Sequence, residues 1–411
     1  MAFSLDKSQL SNGLTVVSTT RADAETVAVS LASRSGSRFE TDDTAGATRF
    51  LERMYLQGTT KRPNRDAIMR TVTARGGTLG VGAGWEFFDF GVVMAPEDVD
   101  IALELLTDLI GDSLFAPDRI EHQRALLLRD IVERRDNPSA RAFDLFFTTI
   151  FHDHELRHLP SGSEDAIGRL ERETLLAHRD ARIVPGNMVV GLVSPLGHDD
   201  VLKRVGATLG SLPVGPALSV AGAPPPPAYE QDVQQSAGRN QAMVIIGAPT
   251  PGLSHNDRYP LWLLQTVLGP GGGRLFYDIR DVHGLAYDTS MRMALTAEAG
   301  SAMVYAGTDP ANVDQVTTLL REHLARAREE LVTEEELASA IGYLVGGTVV
   351  GLESGAALAG HLVHNTALGL PMTTEELEKN LRSVGREDLQ RVARGYLDPA
   401  RLTRVVVWPG L

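Results

Sequence analysis

Gly46-Ala47-Thr48-Arg49-Phe50-Leu51-Glu52-Arg53-Met54-Tyr55-Leu56-Gln57-Gly58-Thr59 reads as one helix. Asp42, Asp43 and Thr44 offer capping side chains before it and Gly58 offers a stop. Ala47, Phe50, Leu51 and Met54 recur at helical spacing, so they form an apolar stripe that must face a core. Residues three and four apart share a helix face, so Arg49, Glu52 and Arg53 project together from the opposite side.

The frame G-x-x-x-F-L-E-x-M-x-x-x-G-T resembles the zinc helix of the pitrilysin, or insulinase, peptidases. In that family H-x-x-E-H places two imidazoles one turn apart as zinc ligands, with Glu as general base. Here arginines, Arg49 and Arg53, stand at both histidine positions, and Glu52 keeps the base position. A guanidinium has no lone pair to give and stays protonated, so neither arginine binds a metal. The family's third ligand is a glutamate in a later helix. Leu128-Arg129-Asp130-Ile131 matches that stretch and puts Asp130 at the ligand position. The resemblance thus implies a degenerate zinc site in which Arg49 and Arg53 form an ion-pair cluster with Glu52 and Asp130. Without the resemblance, the two arginines read as a solvated basic helix face.

The chain has 411 residues, 43% of them hydrophobic, enough for two domains with substantial cores. A net charge of −14 argues against nucleic acid and anionic membrane as partners, since both attract basic surfaces. The absence of cysteine excludes disulfides and thiolate metal sites. No basic segment followed by an apolar run opens the sequence, so a cytoplasmic location is the expectation.

Leu10 to Ser18 contains an Asn-Gly hairpin signal, and Val27 to Ala32 reads as a strand. Thr78 to Met94 reads as a strand pair. It partly resembles the family's G-G-x-x-N-A-x-T-x-x-E-x-T-x-Y segment: Gly76, Gly77 and Glu86 match, while Gly80 and Ala83 replace polar residues that hold substrate along an edge strand. Pro96 to Asp112, Pro117 to Arg135 and Ser139 to Phe151 read as helices, and Asn187 to Ser194 as an apolar strand. The proline run Pro224 to Pro227 marks an extended linker, giving domains at 1–212 and 233–411 joined by 213–232. The second half repeats the order of the first, with strands at Gln241 to Gly247, Ala286 to Gly307 and Leu402 to Trp408. The fold class is therefore α+β. The resemblance implies two similar α/β-roll domains, each an antiparallel-rich sheet packed by helices.

Arg274-Leu275-Phe276-Tyr277-Asp278-Ile279-Arg280-Asp281-Val282-His283-Gly284-Leu285-Ala286-Tyr287 resembles the family's R-L-F-x-x-x-R-x-x-x-G-L-x-Y segment. There Arg and Tyr reach toward a zinc site, the Arg to a substrate carbonyl or carboxylate and the Tyr hydroxyl to an oxyanion. Arg280 and Tyr287 keep that spacing; without the resemblance they read as a helix-end arginine and a core tyrosine. Gly271, Gly272 and Gly273 fit either a substrate-contacting loop or a plain strand-to-helix connection. His154-Glu155-Leu156-Arg157-His158 matches the zincin pattern H-E-x-x-H but lies in a polar stretch stopped by Pro160, without helical periodicity. His361 and His364 read as ordinary helix residues.

Half-size members of the family pair two chains, one holding zinc and the other supplying the Arg/Tyr pair. The resemblance therefore implies a noncatalytic subunit without its own cofactor. Its partner would be a homologous zinc-bearing peptidase chain and its substrate a peptide or precursor polypeptide. A structural or peptide-binding protein without a peptidase partner is the alternative.

Overall fold

The structure is a computed structural model that describes residues 5–215, 231–236, 241–269 and 272–410. Its strands are β1 (Asp6–Gln9), β2 (Thr15–Thr20), β3 (Val27–Ser33), β4 (Thr78–Ala83), β5 (Phe88–Met94), β6 (Met188–Ser194), β7 (Gln231–Ser236), β8 (Ala242–Pro251), β9 (Ala286–Leu295), β10 (Ala299–Thr308) and β11 (Thr403–Trp408). They make a six-stranded sheet in the order β1-β2-β6-β3-β5-β4 and a five-stranded sheet in the order β7-β11-β8-β10-β9. Counted from β2 and from β7, both sheets run first-fifth-second-fourth-third. In both, the first and fifth strands are parallel and the other neighbours antiparallel. The repetition expected from element order is therefore a repetition of topology. The proteins' α+β class follows from it.

The two compact units are discontinuous in sequence. One comprises residues 1–131, 158–219 and 349–373; the other comprises 132–157, 220–348 and 374–411. This departs from the linear division at 213–232, because each half lends one helix to the other unit. Pro138–Ile150 packs on β8 and β11, with the Phe143 and Tyr305 rings 5.4 Å apart. Gly355–Leu368 packs on β3 and β6, burying Leu358, Leu362 and Val363 against Val17, Ala28 and Val193. Helices on both faces explain why every residue of β6 is buried and why its sequence is apolar without alternation. The proposed linker lies mostly outside the described residues, and its end, Gln231 and Asp232, begins β7. Among the described residues no single helix is long and apolar enough to cross a membrane.

The central helix is Ala47–Met54, shorter than the sequence pattern suggests. Its stripe of Ala47, Phe50, Leu51 and Met54 is fully buried, each larger side chain contributing roughly 2 kcal/mol. Tyr55 follows and meets Phe88, Phe90 and Phe115 edge to face, with ring centroids 5.5, 5.1 and 5.8 Å away. Asp42–Thr44 does not cap this helix. It closes a 3-10 turn of its own, after which Gly46 swings the chain through φ 105° to start the helix. A Cβ at Gly46 would lie 2.7 Å from Ile167 Cγ1 and 3.0 Å from Gly162 Cα.

Gly46→Ala should therefore destabilise the protein by about 2–5 kcal/mol, combining left-handed strain with overpacking. Gly76→Ala has similar positive φ but open space around the new methyl, so it should cost only about 1–2 kcal/mol. Urea unfolding of both variants measures the difference. Equal midpoints would show that the approach to Ile167 does not constrain the helix start.

Candidate functional site

A buried carboxylate sets the start of the central helix. Glu40 accepts hydrogen bonds from Gly46 N and Thr48 N, both at 2.7 Å, filling two of the donors that a helix N-terminus leaves unpaired. Burial pushes its pKa up to about 7, against the lowering effect of those bonds and of Arg182. His178, also buried, lies 3.5 Å through Nε2 from Thr48 Oγ1. Desolvation first, and Arg182 second, bring its pKa down to about 4.

One turn further on, Arg49 Nη1 donates to both Glu52 carboxylate oxygens at 2.7 and 2.6 Å. Arg53 Nη2 donates to Asp130 Oδ2 on the helix Pro117–Arg135. All four side chains are partly exposed. The sequence suggested one four-charge cluster, whereas the structure forms two discrete pairs: Glu52 is close enough to Arg49 on the same helix face to be claimed outright, leaving Asp130 to Arg53. Two positive charges thus meet two negative ones. A divalent ion with two neutral imidazoles and two carboxylates has the same balance, so the substitution leaves the local charge unchanged.

These residues do not fit zinc. Two of the positions carry guanidinium groups without lone pairs, and each carboxylate is held by one of them. No group of three or more His, Cys, Asp or Glu able to hold a metal ion occurs among the described residues. In the rival pentad, Glu155–Arg157 forms a 3-10 turn and His154 Nδ1 accepts from Leu156 N at 3.2 Å. Neither His154 nor His158 stands on an α-helix, so the one-turn spacing that zincins need is missing. His361 contacts Met372 O at 3.0 Å, and His364 contacts Asp89 Oδ1 at 2.7 Å.

Gly80 and Ala83 lie on β4, the outer strand of the six-stranded sheet, paired on its inner side with Gly91 and Phe88. Nothing lies within 4 Å of a Cβ placed at Gly80. Glu86, which matched the family pattern, is buried and pairs with Arg34 at 2.5 Å and with Arg38 at 2.6 Å. Its role here is structural.

In the other unit, Phe276–Val282 forms a π-helix, a rare conformation often found at functional sites. It carries Arg280, whose guanidinium lies between two aromatic faces, 4.5 Å from the Phe276 centroid and 4.7 Å from that of Tyr287. Thr308 pairs with Ala286 and Gly307 with Asp288, so Tyr287 is the extra residue of a β-bulge on the edge strand β9. A bulge re-aims its side chain, which accounts for Tyr287 being 77% exposed. It is no core tyrosine. Its ring flattens the guanidinium while leaving the phenol and the guanidinium edge open to a ligand. Gly272 and Gly273 precede this element. A Cβ at Gly273 would lie 2.8 Å from Gly269 N, so packing alone requires glycine there, while Gly271 lies outside the described residues.

Sequence reasoning missed three features. Glu40 is separated from the donors it binds and looks less cap-like than Asp42 or Thr44; the π-helix carries no Gly or Pro; and the bulge at Tyr287 interrupts an otherwise regular strand.

A duplicated α+β chain with a metallopeptidase helix frame and arginines at the ligand positions is a peptidase-like scaffold. Comparison with known proteins agrees. Residues 15–159 match the Insulinase (Peptidase family M16) domain, and residues 169–344 match the Peptidase M16 inactive domain. An uncharacterised zinc protease of Mycobacterium tuberculosis is 30% identical over 376 residues, spanning 88% of this chain and 84% of that protein. One of Streptomyces coelicolor is 29% identical over 403 residues, spanning 95% of this chain and 87% of its own. The crystal structure of a protease from Helicobacter pylori shares the fold with a TM-score of 0.91 at 20% identity, covering 100% of both chains. That of a peptidase M16 inactive domain from Pseudomonas fluorescens gives 0.90 at 20%, covering 99% of this chain and 98% of the other. The chain belongs to the M16, or insulinase, peptidase family.

The Glu40–His178 pair makes a pH prediction. Folding raises the Glu40 pKa from 4.5 to about 7, so its contribution to stability falls as pH rises across that window. Folding lowers the His178 pKa from 6.5 to about 4, so its contribution rises with pH over 4 to 6.5. The two slopes oppose each other where they overlap. His178→Asn removes one, and its unfolding free energy relative to wild type should fall as pH rises from 4.5 to 6.5, by at most about 1.4 kcal/mol per unit. Denaturant titrations at several pH values measure this, and parallel curves would contradict it.

Proposed function

We propose that this chain is the noncatalytic subunit of a two-chain zinc peptidase. In this reading a homologous partner holds the metal, and Arg280 and Tyr287 act on the peptide bound there. The observation that carries the reading is the contrast between the two sites. The ligand positions are filled by arginines already paired with the remaining carboxylates, whereas the Arg280–Tyr287 stack is exposed and has polar edges to spare.

Arg280 is suited to a substrate carbonyl or carboxylate, because a guanidinium edge donates two parallel N–H bonds in fixed geometry. The Tyr287 hydroxyl is suited to the oxygen that gains charge as the peptide carbonyl is attacked, since a donor aimed at developing charge favours the transition state over the ground state. Open edge strand β4, with Gly80 and Ala83, supports an extended peptide running alongside it through main-chain hydrogen bonds. Gly272 and Gly273, with Gly271, belong to the same proposal as substrate-contacting residues. So does a cytoplasmic location.

The ring and the hydroxyl of Tyr287 are separable. Tyr287→Phe keeps the stack on Arg280 and removes one donor, so kcat of the reconstituted pair should fall by roughly 10²-fold to 10³-fold with little change in KM. Arg280→Ala should raise KM as well, because it removes a contact made before the transition state. Peptide cleavage is followed after mixing each variant with the zinc-bearing partner. Undiminished turnover with both changes together would leave this chain a scaffold without a catalytic contribution.

A further inference from the structure

A cavity of about 430 Å³ opens beside the π-helix, between its first turn and the helix Glu334–Gly351. The volume is in the usual range for ligand sites, about 300–1,000 Å³. Its walls include Arg274, Tyr277, Glu335, Glu336, Ser339 and Tyr343. Two features of this lining are unusual for a surface hollow. Tyr277 and Tyr343 are 63% and 53% exposed, large aromatic faces that nothing in the fold covers. The charges are also unequally committed.

Arg274 is fully engaged: its Nε and Nη2 donate to the two Glu336 oxygens at 2.6 and 2.7 Å. Glu336 also accepts from Thr333 N at 2.8 Å. These bonds, that of Arg274 above all, bring the Glu336 pKa down to about 2, so the carboxylate stays charged and spoken for. Glu335, next to it, has no ion-pair or hydrogen-bond partner for its side chain among the described residues. The hollow therefore holds one positive and two negative charges, with the surplus on Glu335. An anionic ligand would have to displace Glu336 from a bidentate pair. A neutral apolar one would leave Glu335 desolvated. A cation meets both an available carboxylate and aromatic faces, whose negative quadrupoles attract positive charge.

We propose that this cavity is a binding site for a basic side chain, arginine before lysine, of a peptide. A planar guanidinium can stack on Tyr277 or Tyr343 while donating in-plane bonds to Glu335. Tyr277 sits on the same π-helix as Arg280, so the site deepens the proposed function by naming a basic residue in the peptide that the pair would receive. It rests on that reading only for its biological use, because the binding itself is measurable on this chain alone.

The test uses the purified full chain and a blocked pentapeptide of glycines with arginine at the centre, compared with the same peptide carrying citrulline. Citrulline keeps the shape and loses the charge. Calorimetry should give affinity for the arginine peptide at least about tenfold above the citrulline peptide, declining with salt. Glu335→Gln, at an exposed position where folding is not at stake, should remove most of that difference. Tyr277→Ala and Tyr343→Ala should each weaken binding about threefold to tenfold, whereas Phe at either position should restore it. Equal binding of the two peptides, absence of binding by both, or a Glu335→Gln variant with undiminished discrimination would each overturn the proposal. None of these results bears on turnover by Tyr287→Phe in the two-chain complex, so the two readings fail separately.

Discussion

The hydrogen bonds from Gly46 N and Thr48 N to the buried Glu40 carboxylate are the constraint on which the first site depends. They fix where the central helix begins, and a helix beginning one residue later would rotate Arg49, Glu52 and Arg53 by about 100° away from Asp130. The cost is a carboxylate enclosed in apolar surroundings, whose pKa of about 7 records how poorly it is solvated. The apolar stripe of Ala47, Phe50, Leu51 and Met54 offsets that cost through burial against the sheet.

Once that helix is placed, its polar face admits few arrangements. A partly enclosed cluster of carboxylates needs positive charge nearby, because unpaired buried charge costs several kcal/mol. A divalent ion is one solution and two guanidinium groups are another. The second is present here, as the pairs Arg49–Glu52 and Arg53–Asp130. It preserves the electrostatics and therefore the scaffold, while removing the Lewis acid. In the other unit no such replacement has taken place: Arg280 lies flat between Phe276 and Tyr287, held by aromatic contacts and unencumbered by a carboxylate at its edge in those contacts.

Much of this was legible in the sequence, and what was not has physical reasons. The helix, the Asn-Gly hairpin and the apolar strands are local patterns, and residues 15 to 20, 27 to 33 and 188 to 194 became strands as their composition demanded. The chemistry of Arg49 and Arg53 was readable because a guanidinium is incapable of ligation in any context. The exchange of Pro138–Ile150 and Gly355–Leu368 between units was not readable: an apolar helix face says that it will be covered and is silent about which sheet covers it. Strand β7, Gln-Asp-Val-Gln-Gln-Ser, has one apolar residue and sits at a sheet edge, where alternation is weakest, so it read as linker. The pairing of Arg49 with Glu52 instead of with Asp130 depended on distances that sequence spacing does not supply.

Metal content tests the account most directly. The full chain, purified, incubated with excess zinc and dialysed, is assayed by elemental analysis. The pairing of both carboxylates with arginines predicts no stoichiometric zinc. One tightly held zinc per chain, lost on Glu52→Gln, would contradict it.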